Sequence, residues 1–547
     1  FDIQQPELTV RETVEFCARL RIDANDPMIK NDEGKRKFAA HVLEIMELTN
    51  IQNLQVGSFS EGGLTFEQRK RLSIACELAG SPSVIFLDEP TSGLDSRGAI
   101  VVMRAMKRIA DTGRTVCATI HQPSSAVFEM FDDLLLLKKG GNVVYFGELG
   151  DGSANLIEYF ESRGANPIKF GENPAAWMLT CFAGEQAATA TRELDWALVY
   201  TNSEQYKLAE EDIAAIQASA DPTKQIAYDE IYVTTFNERM KLMIQRLYRI
   251  YKRSPAYNLA RLMIAIFYSF IMGSVFLQSG GRRQFWSENE MSAVISTMFL
   301  SLIVIGITSI SMAVPVTQQI RDVFYKHRAS GMLSHTSLSW SLFLAETPYI
   351  CFISLLFGAV YYGTVGLFHT GEQFGLFWVF FTLNIAIYNY FGQAFICLVK
   401  DTPTAGALVG ALIGYNIFFS GLVVRPQYFV GPFQLGYWTA PGRFALEGLV
   451  ITQFAGNELP IVPEYASPYF FYLNCTADIP PDEIAFTPDE ELPLDCLGTI
   501  DDYVNYFFGG RFNIGNFWID VGVLIAYMIL AKFVTEFALW KFNYVNT

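Results

Sequence analysis

The chain has 547 residues, is 51% hydrophobic and 14% aromatic, and carries a formal net charge of −16. That length allows several domains, and the negative charge argues against nucleic acid as the main partner. The apolar excess is uneven: residues 1–255 read as a soluble α/β protein, while residues 256–547 carry six long apolar segments, so a soluble domain joined to a membrane bundle is the simplest account.

In chain order, residues 9–22 open on a capping box in which Thr9 caps a helix and Glu12 reaches back. A second helix is expected near 35–48. Glu61-Gly62-Gly63-Leu64-Thr65-Phe66-Glu67-Gln68 then opens a helix running to about Leu78. Val84-Ile85-Phe86-Leu87 reads as a buried strand delivering two adjacent carboxylates, Asp88 and Glu89, to its end. One carboxylate there can hold Mg²⁺ and the other can orient a water. A helix near 97–110, a strand at 115–120, His121-Gln122-Pro123-Ser124-Ser125, another helix, a strand near 133–137 and a Gly140-Gly141-Asn142 hairpin turn complete an α/β pattern.

VIFLDEPTSGLD resembles the Walker B and D-loop of an ATP-binding cassette ATPase. With LTFEQRKRLSIACEL, TIHQPSSAVFEMFDDLLLL and Asn173-Pro174-Ala175-Ala176-Trp177-Met178-Leu179, it is similar to the second half of a pleiotropic drug resistance transporter of the G subfamily of ABC proteins. The resemblance implies an N-terminally truncated α/β P-loop NTPase at 1–165, a linker at 166–235, and an all-α six-helix transmembrane domain at 236–547 with a small extracellular subdomain. It implies ATP and Mg²⁺ as cofactors. Asp88 would hold the Mg²⁺, Glu89 would polarise the attacking water, and His121 would contact the γ-phosphate. Ser92 and Asp95 would belong to the D-loop that crosses to a partner ATPase domain.

The signature segment departs from the family pattern. ABC proteins usually carry LSGGQ there, whose glycines let a helix N-terminus approach a phosphate held by the opposite domain. This chain reads Leu64-Thr65-Phe66-Glu67-Gln68. Phe66 adds bulk where backbone must come close. Glu67 adds charge, and two like unit charges about 4 Å apart repel by roughly 4 kcal/mol at an effective dielectric near 20. Equally, Thr65 and Gln68 can form a capping box. A weakly hydrolytic or silent site is expected. No GxxxxGKS or GxxxxGKT occurs. The phosphate loop is therefore expected upstream of Phe1, in a missing first half or a second subunit, and the chain alone is expected to bind ATP poorly.

Residues 166–235 are polar with weak periodicity and a helix near 204–218. Residues 236–253 are basic and amphipathic, with Arg239, Lys241, Arg246, Arg249, Lys252 and Arg253 expected at headgroups and Met240, Leu242, Ile244, Leu247 and Ile250 inserted. Spans are expected near 257–278, 291–313, 337–362, 374–398, 404–424 and 514–540. Basic residues cluster before the first span and at Arg321, Lys326 and Arg328 after the second, while Arg282 and Arg283 oppose the rule. The balance places the ATPase in the cytosol, with the plasma membrane as the expected membrane. The segment 314–336 is read as a short charged loop that carries coupling. Glu346, inside the third span, needs a partner, and Lys532 with Glu536, four apart, can pair.

Gly406, Gly410 and Gly414 form a repeated GxxxG on the fifth span. In the family the second and fifth spans line the substrate path, which makes Thr297, Phe299, Asn416, Phe418, Phe419 and Leu422 its candidates here. Packing or lipid contact explains any single one as well. Residues 425–512 read as an extracellular loop, with Cys475 and Cys496 as disulfide candidates and Asn474-Cys475-Thr476 as a glycosylation sequon. The functional expectation is ATP-driven export of xenobiotics or hydrophobic metabolites, with membrane lipid as surroundings. The alternative is a lipid or sterol transporter of the same architecture, half-size in one version. The degenerate signature argues against a homodimer, because both sites would then be damaged.

Overall fold

The computed structural model describes residues 3–22, 29, 31–58, 62–181, 195–220, 231–277, 286–367, 370–475 and 496–544. Glu61, Arg282, Arg283 and Thr476 lie outside them. The chain divides into two compact units, Phe1–Thr234 and Thr235–Thr547.

The first unit is α/β. Its helices are α1 (Val10–Arg21), α2 (Asp32–Ile45), α3 (Phe66–Leu78), α4 (Ser96–Asp111), α5 (Ser125–Phe128), α6 (Ala154–Glu161), α7 (Pro174–Thr180), α8 (Trp196–Thr201) and α9 (Glu204–Ser219). Its strands are β1 (Gly57–Ser58), β2 (Gly62–Gly63), β3 (Val84–Leu87), β4 (Thr115–Ala118), β5 (Asp133–Leu137) and β6 (Val143–Glu148). The capping box at Thr9 forms as the sequence dictates: Thr9 Oγ1 accepts from Glu12 N at 3.2 Å and Glu12 Oε2 from Thr9 N at 3.0 Å. β3 and β4 pair in parallel with Val84 opposite Thr115, and β5 and β6 form an antiparallel hairpin. The hairpin closes through Gly140 and Gly141, both at positive φ, which glycine adopts without a Cβ clash. The segment read as a linker folds from its start: Trp177, Trp196 and Tyr200 of α7 and α8 join one core with Phe160 and Val144.

The second unit starts with α10 (Phe236–Arg253) and α11 (Pro255–Val275), followed by β7 (Trp286–Ser287), α12 (Glu288–Ala329), α13 (His335–Val365), α14 (Gly371–Leu398) and α15 (Thr402–Phe419). Then come α16 (Phe433–Thr439), α17 (Pro441–Phe454), β8 (Pro460–Val462), α18 (Pro468–Tyr472), β9 (Gly498–Thr499), α19 (Ile500–Phe508) and α20 (Phe517–Lys541). Among the described residues six helices are long and apolar enough to cross a membrane: α11 to α15 and α20 with the turn before it. This is a multi-pass membrane protein.

Four expectations change. The second span does not stop at 313, because α12 runs unbroken through Pro315 to Ala329. Proline removes one backbone donor and its ring crowds the preceding turn, yet Ala313, Val314 and Thr317 are packed on both sides of it. The fifth span ends at Phe419, where Gly421 turns the chain at φ +93. The supposed outer loop contains α17, buried at every one of its residues, and packed against α12, α14, α15 and α20. On α10, which packs against α13, Arg239 and Arg246 are buried, so the basic residues do not form one headgroup-facing stripe.

The sheet β7-β8-β9 joins the start of α12 to the segments after α17. Glu288 reinforces the join by accepting from Glu464 N at 3.1 Å and Ser467 Oγ at 2.6 Å. A disulfide links Cys475 to Cys496 across a Cα–Cα distance of 5.5 Å. Asn474 is exposed.

Candidate functional site

The parallel pairing of β3 with β4 sets two loops side by side. Asp88 and Glu89 leave the end of β3, and Thr119 to His121 leave the end of β4. A cleft of about 410 Å³ opens there, lined by Glu89, Thr91, Ser92, Gly93 and His121. Three sequence-expected residues, Glu89, Ser92 and His121, thus share one cavity.

Thr119, which sequence reasoning missed, organises this end of the site. Its hydroxyl donates to Asp88 Oδ1 at 2.8 Å and accepts from Glu89 N at 2.9 Å. Glu89 sits at φ +45, a left-handed conformation uncommon for a residue with a Cβ. Holding it costs on the order of 1–3 kcal/mol. Thr119 fixes its amide, while its carbonyl accepts from Ser92 N at 3.1 Å and Lys70 Nζ at 3.3 Å. The same ammonium reaches Ser92 O at 3.2 Å. Gln122, beside His121, is also left-handed at φ +46. Asn173 holds that loop by donating to Pro123 O at 2.8 Å while it caps α7 through Ala175 N at 3.0 Å. Neither Lys70 nor Asn173 carries a sequence signal for this role beyond its place in the quoted motifs.

Asp95 caps α4, accepting from Gly98 N at 2.9 Å. Leu64 to Gln68 lie outside the cleft lining. Leu64 is buried, and Thr65 and Gln68 form a reciprocal capping box at 3.2 and 3.0 Å. One amide of the first turn of α3 is therefore already satisfied. The Phe66 ring packs on Gly93, 3.3 Å from where a Cβ would stand, and is 44% exposed on its other side. Glu67 is paired with Arg71 at 2.9 Å, so its charge does not stand alone.

Asp88 fits the role expected of a Mg²⁺ ligand. It is exposed, Thr119 engages only Oδ1, and hard carboxylate oxygen suits that ion. Among the described residues no cluster of three acidic, histidine or cysteine groups could hold a metal by itself.

One face of this sheet is uncovered: Val84 and Phe86 of β3 are 49% and 79% exposed, while Ile85 between them is buried. Parallel sheets ordinarily bury both faces.

In the second unit, Thr297 and Phe299 of α12 and Asn416 of α15 are buried within the helices. Asn416 is engaged structurally, accepting from Gly442 N at 2.7 Å and donating to Leu412 O at 3.0 Å. Phe418 is exposed, while Phe419 and Leu422 are half-buried. α15 is largely uncovered, with 17% of its apolar window buried against 61% for α12. A Cβ placed at Gly406, Gly410 or Gly414 would meet no neighbouring atom within 4 Å. Glu346 pairs with Arg261 at 2.5 Å, both fully buried, and accepts from Asn389 Nδ2 at 3.2 Å. Lys532 pairs with Glu536 at 2.7 Å and lies 3.7 Å over the Trp340 ring.

Residues 238–454 match the family model described as ABC-2 type transporter, and residues 121–225 match a second model of the same description. ABC transporter G family member 31 of Arabidopsis thaliana is 32% identical over 549 residues, covering 100% of this chain and 35% of that protein. Member 40 of the same plant is 36% identical over 465 residues, covering 84% of this chain and 32% of that protein. The chain spans about a third of the length of the curated relatives it matches. A solved ATP-binding cassette of an ABC transporter, in its ADP conformation, matches 28% of this chain and 59% of its own length at 20% identity, with a TM-score of 0.23. The matched membrane domain and the relatives agree: over its whole length the chain is similar to G family ABC transporters, and residues 238–454 carry an ABC-2 type transporter domain.

Proposed function

We propose that this chain is the second half of a full-size exporter that spends ATP to move xenobiotics or hydrophobic, amphipathic metabolites across the plasma membrane. The observation that carries the reading is the cleft that gathers Glu89 and His121 in a chain that also holds six membrane-crossing helices. Glu89 is the general base that orients water, His121 senses the terminal phosphate, and Asp88 holds Mg²⁺. Bound Mg²⁺ supplies charge neutralisation on the phosphates. Thr119 sets the spacing of the two carboxylates, and Lys70 and Asn173 hold the loops on either side.

The phosphate cradle comes from the other part of a longer protein or from a second subunit. Two uncovered surfaces support a partner: the apolar sheet face at Val84 and Phe86, and the open face of α15 with its three glycines. Phe418, Phe419 and Leu422 give cargo an apolar, weakly selective wall. The site faced by Phe66 and Glu67 is the inert one, because bulk and a satisfied amide stand where the signature backbone meets phosphate.

The test is ATP hydrolysis by the complete protein. Glu89→Gln lowers turnover by at least ~100-fold, the range of a lost general base, with nucleotide binding retained. Turnover within about twofold of wild type would overturn the assignment.

A further inference from the structure

α17 packs against α20, and Glu447 ties it to the turn that opens α20. Glu447 Oε1 accepts from Asn516 Nδ2 at 2.8 Å and from Asn513 N at 3.4 Å. Its Oε2 accepts from Arg443 at 2.5 Å, with both side chains buried. The Glu447 carboxylate is thus answered on both oxygens. Asp520, in the first turn of α20, is not. It is 1% exposed, and no donor among the described residues reaches its Oδ2. The charges that face it are Glu447 and Arg443. Arg443 is committed elsewhere: it bonds Glu447, lies 4.3 Å from the Trp438 ring, and its Nε meets no acceptor. Arg511, before α20, stands 5.8 Å from the same ring. On the other helices packed against α20 and further along it, Glu346 is held by Arg261 and Lys532 by Glu536.

Two buried acids therefore face one arginine, and that arginine serves Glu447. An ionised carboxylate without a donor is among the costliest groups to place in a membrane bundle. A proton removes its charge and makes the side chain a donor that faces the Glu447 anion. We propose that Asp520 is a proton-binding site, and that its proton holds the start of α20 against α17. Loss of the proton sets two like charges side by side and favours their separation. By linkage, separation of α17 from α20 releases the proton. Asp520 is a positioning residue, remote from nucleotide. The proton site stands on the geometry alone, whereas its effect on export rests on the transport reading above. Acid at the end of the unit that carries residues 425–512 favours the packed arrangement and slows export.

The experiment compares the complete protein with its Asp520→Asn variant. Infrared spectra in H₂O and D₂O at about pH 7 show a deuterium-sensitive carboxylic acid band in wild type that is lost in the variant. A band unchanged by the substitution overturns the site. Asparagine matches the protonated side chain in shape and neutrality, so a variant that does not fold overturns it as well. Rhodamine 6G uptake into inside-out vesicles then reads the holding role, with the lumen buffered at about pH 5.5 or about pH 8 and the outer medium held constant. Wild type is at least ~5-fold slower with the acid lumen, and Asp520→Asn is slow with both. A variant that keeps the wild-type pH dependence, or a wild type that has none, overturns the holding role. If wild-type protein moves no dye with either lumen, the transport reading falls, and the infrared band still decides the proton site.

Discussion

At the scale of single residues, the magnitude of each effect decides what the degenerate signature does. Unopposed, Glu67 would repel a phosphate by roughly 4 kcal/mol. Its pairing with Arg71 at 2.9 Å removes most of that charge argument, which leaves the Phe66 ring and the capped first turn as the obstacles. Glu67→Gln alone therefore changes basal ATP hydrolysis of the complete protein by less than about threefold. Phe66→Gly with Glu67→Gly raises it or redistributes it to the second site, as resolved by trapping nucleotide at each site. A further residue-scale expectation concerns Thr119. Its hydroxyl serves Asp88 and the Glu89 amide together, so Thr119→Val lowers turnover by about 10- to 100-fold, the equivalent of one hydrogen bond to a charged group. Thr119→Ser retains most of the activity, and steady-state hydrolysis distinguishes the two.

At the scale of elements, buried polar pairs fix how the membrane helices meet. Arg261 and Glu346 stand 85 residues apart in sequence and tie α11 to α13. Removing one partner strands a buried charge and costs about 3–5 kcal/mol, whereas replacing both with apolar residues is near neutral. Glu346→Leu is thus expected to lower the melting temperature in detergent, and Arg261→Met with Glu346→Leu to restore most of the loss. The sequence made the need for a partner at Glu346 legible, because an acid inside a span is costly, but nothing in it singles out Arg261. Helix starts at Thr9 and Thr65 were legible from local chemistry, since a cap and its target lie three residues apart, whereas the cap that Asp95 gives α4 shows only in the structure. The continuation of α12 through Pro315 was not, because tertiary packing outweighs the proline there. α17 was also hidden: its 14 residues are too few to cross a bilayer, although an apolar stretch of that length is itself the mark of a buried helix.

At the scale of the whole molecule, the chain joins an α/β unit to a six-span unit, and each leaves apolar residues exposed, Val84 and Phe86 in the first and much of α15 in the second. The order of motifs made the candidate carboxylates Asp88 and Glu89 and the histidine His121 legible, since each follows a strand end. The geometry adds Thr119, Lys70 and Asn173, which no short motif flags because their roles depend on the loop packing. Of the candidate path residues, Thr297, Phe299 and Asn416 are committed to packing inside the unit, and a helical wheel does not separate them from Phe418 without the position of α17. The account as a whole depends on Glu89 driving cargo movement. The most direct measurement is ATP-dependent uptake of rhodamine 6G into inside-out vesicles bearing the complete protein or its Glu89→Gln variant. Uphill accumulation in wild type and none above the nucleotide-free level in the variant is the predicted result; equal accumulation in both would contradict it.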